Sequence, residues 1–63
     1  MQNILIPLPE LMRRTGLRRT KLYELVREGK LSRPVKIGRA SRWQSIEVDR
    51  FIETQVAERD RAP

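Results

Sequence analysis

The sequence predicts a mainly α-helical domain with a small β-hairpin, in the order strand, helix, helix, hairpin, helix, and three observations carry that expectation. Gly16 and Gly29 each close a short stretch whose apolar residues recur at helical spacing. Val35 and Ile37 alternate with Lys36 before a Gly-Arg-Ala-Ser tip that leads back to Trp43. Beyond Ser45 the apolar residues return to a helical period. No repeat, Gly/Ser linker or low-complexity run divides the 63 residues. One domain is expected, with a core over about 4–57 and a loose tail over 58–63.

The first element is a short apolar run from Asn3 to Leu8, β-branched at Ile4 and Ile6 and closed by Pro7, which fits an edge strand. Pro9 and Glu10 then open a helix, because proline suits the first helical position and a carboxylate complements the positive end of the dipole. That helix runs to about Thr15, buries Leu8, Leu11 and Met12, and ends where Gly16 can adopt positive φ. A second helix follows from about Arg18 to Glu28, with Leu22, Leu25 and Val26 on its inner face and Gly29 after it. Two short helices joined by a tight glycine-containing turn form the helix-turn-helix pattern.

The hairpin spans Pro34 to Trp43 and presents a cationic outer edge. Ser45 is placed to cap a last helix, with Glu47 and Asp49 in its first turn and Val48, Phe51, Ile52 and Val56 as its apolar stripe to about residue 58. Helix, turn, helix and hairpin together make a winged helix-turn-helix.

Composition narrows the function. A chain this short buries only about 60% of the surface its unfolded form exposes, so each large apolar side chain matters. The absence of cysteine and histidine removes disulfides, thiolate metal sites, the remaining common zinc ligand and the usual general base. No cofactor and no metal are expected. No apolar window approaches the roughly 18 residues of a membrane span, and no leader-like segment opens the chain, so a cytoplasmic, soluble protein without membrane contact is expected. Fourteen cations, eleven of them arginine, against eight acids leave a formal charge of +6, which suits a polyanionic partner or a solvated basic surface.

Position favours the partner. Arg13 and Arg14 end the first helix, Arg18, Arg19 and Lys21 open the second, and Lys36, Arg39, Ser41 and Arg42 mark the hairpin. Cations at a helix N-terminus oppose the dipole by about 0.3–1 kcal/mol each, which points to a use outside the folded chain. Arg13 and Arg14, near a helix C-terminus, serve either stability or phosphate. In a major groove the first residues of a recognition helix reach base edges, and arginine can read guanine bidentately. Arg19 is therefore the first candidate for base reading and Lys21 the second. Arg18 and Thr20 either contact phosphate or begin the helix, and Tyr23 either donates to phosphate or is partly buried. Arg39 and Arg42 suit a wing whose backbone passes close to phosphates or the minor groove, the alternative being charges that protect a sheet edge. A lone tryptophan in so small a domain is a core anchor, and Trp43 is read so.

The segments Leu-Pro-Glu-Leu-Met-Arg-Arg-Thr-Gly-Leu at 8–17, Leu-Tyr-Glu-Leu-Val-Arg-Glu-Gly at 22–29 and Pro-Val-Lys-Ile-Gly-Arg-Ala-Ser-Arg-Trp at 34–43 together resemble the AlpA family of phage regulatory proteins. These are related to excisionases and to the DNA-binding part of MerR-like regulators. The resemblance spans about residues 4–57. It implies a MerR-like winged fold whose second helix and hairpin contact DNA, roles in prophage or mobile-element transcription and excision, and no enzymatic activity. The family usually has a small N-capping serine where this chain has Arg18, and a small hydroxyl residue where it has Lys21, so base preferences do not transfer.

Three functions compete. The first is a sequence-specific binder of double-stranded DNA that regulates transcription. The second is an excisionase-like architectural factor that bends DNA and works with an integrase. The third is a small protein-interaction module that docks a partner through Phe51 and Val56. Catalysis is disfavoured, because Glu24 and Glu28 lie beside Arg27 on an ordinary charged helix face and nothing resembles a nucleophile-base pair or a phosphate loop. One module of this size covers only about 600–1,000 Å² on DNA, so a homodimer or cooperating protomers are expected.

Overall fold

The computed structural model describes residues 2–61. It contains β1 (Leu5–Ile6), α1 (Leu8–Thr15), α2 (Arg19–Arg27), β2 (Val35–Ile37), β3 (Ala40–Gln44) and α3 (Ser45–Arg61), in the order that the sequence predicts. The three strands form one antiparallel sheet in the order β1-β3-β2, so β1 is an edge strand. Only Leu5 and Ile6 of the predicted 3–8 strand pair, opposite Gln44 and Trp43. Leu8 already belongs to α1.

Helix α1 starts one residue earlier than predicted. Pro7 is its extended N-cap, Leu8 its first residue, and Pro9 sits second, where its missing N–H still has no intrahelical partner to lose. Gly16 ends the helix at φ 71°, with its N–H on the Met12 carbonyl. The turn to α2 is tied by Thr15, whose hydroxyl donates to the Leu11 carbonyl at 2.8 Å and accepts from the Leu17 N–H at 3.3 Å.

Helix α2 begins at Arg19, with Arg18 as its extended N-cap, and ends at Arg27. Its C-terminus is a Schellman motif. The Gly29 N–H returns to the Val26 carbonyl and the Lys30 N–H to that of Leu25, a reversal that the φ of 77° at Gly29 permits. The motif turns Leu31 inward, where it is buried.

The hairpin turn is shorter than the predicted four-residue tip. Ala40 and Ser41 pair in β3, which leaves only Gly38 and Arg39 in the turn. Gly38 has φ 61° and Arg39 is not positive, the glycine-first pattern of a type II′ turn, whose twist matches that of the flanking strands.

Ser45 does not cap α3. It is buried as the first helical residue, and its hydroxyl accepts the Ile4 N–H at 2.9 Å. The exposed Ile46 N–H is instead met by the Asn3 carboxamide at 3.1 Å, so the cap arrives from the other end of the chain. Glu47 lies in the first turn and Asp49 beyond it. The helix continues to Arg61, so residues 58–61 are helical rather than a loose tail, and residues 62–63 of that tail lie outside the described residues.

The core is Ile6, Leu11, Leu22, Leu25, Leu31, Trp43, Val48 and Phe51, with Leu8, Leu17, Met12, Tyr23, Val26 and Ile52 packed around it. Val56 is not part of it. At 46% exposure it lies on the stretch of α3 past the core, where no element among the described residues covers it. Trp43 is the largest buried side chain, at 1% exposure, and touches the ring of Tyr23 edge-on with centroids 6.1 Å apart. Its replacement by alanine is expected to cost about 3–5 kcal/mol, enough to unfold much of so small a domain. Chemical denaturation followed by circular dichroism measures this, and a stably folded Trp43→Ala protein would contradict the packing described.

Candidate nucleic-acid interface

The α2 sequence places two apolar residues, Leu22 and Leu25, against the core and leaves Arg19, Thr20, Lys21, Glu24 and Arg27 exposed. Helical spacing then sorts the exposed ones. Thr20, Glu24 and Arg27 point away from the core. Arg19 and Tyr23, four residues apart, share the flank that faces β3. The Arg19 guanidinium lies 5.6 Å from the centre of the Tyr23 ring, and that ring meets Trp43 of β3. Stacking of this kind holds the guanidinium in place at small cost in entropy while leaving its N–H groups outward.

Lys21 lies on the opposite flank. With Arg14, Leu17, Leu25, Phe51, Ile52 and Val56 it lines an open depression of about 460 Å³ between α3 and the α1–α2 turn. Its ammonium is 4.0 Å from Glu24. Sequence spacing therefore groups Arg19 with Lys21 as neighbours at one helix start, while the fold directs them to different sides.

Arg14 is similarly committed. It is half-buried, 3.0 Å from Glu10 and 3.8 Å from Asp49, so it ties α1 to α3. Glu10 also receives both Arg13 side-chain contacts, at 2.8 and 2.6 Å. The hydrogen bonds from Arg13 and then Arg14 hold the Glu10 carboxyl down to about 2. The charge of these two arginines is thus largely spent within the chain.

On the hairpin, cross-strand partners share a face. Lys36 pairs with Ser41 on the face that carries Trp43, and the Lys36 ammonium donates to the Ser41 hydroxyl at 2.8 Å. This is the side on which α2 packs. Arg39 is exposed at the turn. Arg42 belongs to the other face, opposite Val35, and its guanidinium donates to the Ser41 carbonyl at 2.9 Å. Val35 and Ile37 therefore lie outward, exposed on the sheet face away from Trp43. The alternation around Lys36 is real, but its cation is on the inner side.

Arg18 and Thr20 are exposed at the start of α2, and no side chain among the described residues caps that N-terminus. Its first backbone N–H groups are free for an acceptor, although three cations surround them. The wider charge pattern agrees. From Gly29 to Ile46 the sequence holds Lys30, Arg33, Lys36, Arg39 and Arg42 and no acidic residue, whereas α3 carries five of the eight acids. This polarity emerges once the elements are assigned.

Two short helices across a tight turn, with a cationic hairpin bolted to the second, define a winged helix-turn-helix, a class of DNA-binding fold. The chain belongs to the helix-turn-helix domain family, whose model matches residues 8–56. That membership supports a DNA-binding role, and such domains are typically not enzymes. No curated protein and no solved structure compared with the chain matches it. Among the described residues, no helix is long and apolar enough to cross a membrane.

Glu10 yields a prediction about pH. Its carboxyl titrates near 2 in the folded chain against an ordinary value of 4.5, so its stabilising contribution is complete above about pH 4.5 and is lost as pH falls towards 2. The thermal midpoint of the parent chain is expected to fall more steeply across that window than that of Glu10→Gln. Parallel pH profiles would show that the arginine clamp adds nothing to stability.

Proposed function

We propose that the chain is a sequence-specific double-stranded DNA-binding protein that regulates transcription of a prophage or mobile element. The N-terminal half of α2 enters the major groove, and the β2–β3 hairpin lies along the neighbouring backbone and minor groove. The observation that carries this reading is the bridge from Arg19 through Tyr23 to Trp43, which links a cationic helix start to a cationic hairpin as one unit. The resemblance of residues 8–17, 22–29 and 34–43 to the AlpA family supplies the prophage or mobile-element setting.

Arg19 is the base-reading residue in this proposal, because it is exposed and held in place by Tyr23. Thr20 faces outward beside it and joins the reading head. Arg18, Tyr23, Lys36, Arg39, Ser41 and Arg42 serve the phosphates, Lys21 reaches a phosphate along the flank nearer α3, and Arg14, paired with Glu10 and Asp49, stays with the fold. Arginine contacts to the polyanion supply most of the affinity and α2 supplies the choice of site. Because one module covers little DNA, protomers bind as a dimer or side by side on repeated sequences.

An excisionase-like architectural role beside an integrase would use the same surface. The observation that favours it is an exposed apolar residue, Ile37, next to the turn of the wing, since DNA-bending proteins carry apolar wedges.

Selection from a random duplex library, followed by salt titration on the enriched sequence, tests the proposal. Arg19→Ala is expected to cost about 1–3 kcal/mol and to relax base choice at one position. Alanine at both Arg39 and Arg42 is expected to weaken binding to every duplex and to lower the salt slope by up to about 2. Failure to enrich any sequence, or affinity that does not respond to salt, would overturn the reading.

A further inference from the structure

We infer that Ile37 is an apolar wedge that the hairpin presses into the minor groove of the bound duplex, opening a base step and bending the DNA. The inference rests on the DNA-binding reading above and assigns a role to a residue outside its contact set.

Ile37 is 55% exposed, the highest value among the exposed large apolar side chains of the described residues. It is the last residue of β2 before the two-residue turn, and its cross-strand partner is Ala40, too small to cover it. Val35 stands behind it on the same face. An exposed isoleucine by itself needs no explanation. Its setting does. It lies within the stretch from Gly29 to Ile46 that carries five cations and no acid, and of the hairpin cations Lys36, Arg39 and Arg42 none is ion-paired among the described residues.

A partner for such a surface must be polyanionic and must also offer apolar area within a side chain's length of its charges. A duplex groove has phosphate walls and a floor of sugar and base faces. An anionic bilayer has both features too, but the residues that anchor proteins at a bilayer surface are turned inward here: Trp43 is buried and Tyr23 is half-buried against it. A two-residue turn flanked by one prominent branched apolar side chain, Ile37, matches one base step better than a lipid surface. Arg39, in the turn itself, holds the flanking phosphates while the step opens. Flexible pyrimidine–purine steps would yield most easily, which would add sequence preference where no base edge is touched.

The test uses the full chain and the duplex enriched by selection, labelled at both ends for energy transfer and carrying 2-aminopurine at the central step. The parent is expected to bend it within the range of about 20–90° that apolar wedges produce, and to raise 2-aminopurine emission. Ile37→Ser should fold normally, since the site is exposed, and circular dichroism checks this. It is expected to lose most of the bend and the emission rise while affinity falls about tenfold at most. Ile37→Leu should restore both signals. A parent that binds without bending, or an Ile37→Ser protein that bends as the parent does, overturns the wedge and leaves the DNA-binding reading intact. A parent that binds no duplex but binds phosphatidylserine vesicles overturns both.

Discussion

The burial of one indole organises this domain. Trp43 sits on the middle strand, opposite Ile6 of β1, and its ring meets Tyr23 of α2. Through it the two cationic elements, helix α2 and hairpin, share a single anchor. So small a chain cannot supply two independent cores. Consequently the placement of α2 against the hairpin depends on a side chain that is itself buried. The indole N–H finds no hydrogen-bond partner among the described residues, an expense usually put at about 1–3 kcal/mol.

Charge is arranged around that anchor in two ways. Where arginines serve the fold, they are paired: Arg13 and Arg14 close on Glu10, and Arg14 reaches Asp49. At the start of α2 and on the hairpin they have no acidic partner among the described residues. Arg18 and Arg19 crowd a helix N-terminus without any acid in its first turn, and the hairpin segment has none at all. Like charges brought together this way destabilise a folded chain slightly and raise its attraction for a polyanion. Five of the eight acids collect on α3.

Much of this was legible in the sequence, because glycines and helical periodicity are local signals. Gly16, Gly29 and Gly38 stand where the chain reverses with positive φ. Leu11, Leu22, Leu25, Val48 and Phe51 face inward as their spacing requires, and Trp43 is the anchor its size suggests. What escaped depends on contacts distant in sequence. Asn3 caps α3 across the whole chain, which displaced Ser45 from that role. Leu31 is turned inward by a Schellman motif, a signal that an apolar residue two places after Gly29 could have supplied. Ile6 is buried because β1 pairs with β3, and a two-residue strand leaves almost no period to read. The candidate site was harder still. Proximity in sequence joined Arg19 to Lys21, but two residues along a helix are about 200° apart around its axis. Arg14 lay between two readings until Asp49 came within reach of it.

The central claim is that α2 and the hairpin grip one duplex as a unit because Trp43 joins them. Titration of the isotope-labelled chain with duplex DNA at low ionic strength, followed by amide NMR shifts, tests it most directly. The amides of 18–24 and of 36–42 should shift together, on one binding curve, with the Trp43 indole N–H moving in step. Shifts confined to one element, two unrelated curves, or no response to any duplex would contradict the account.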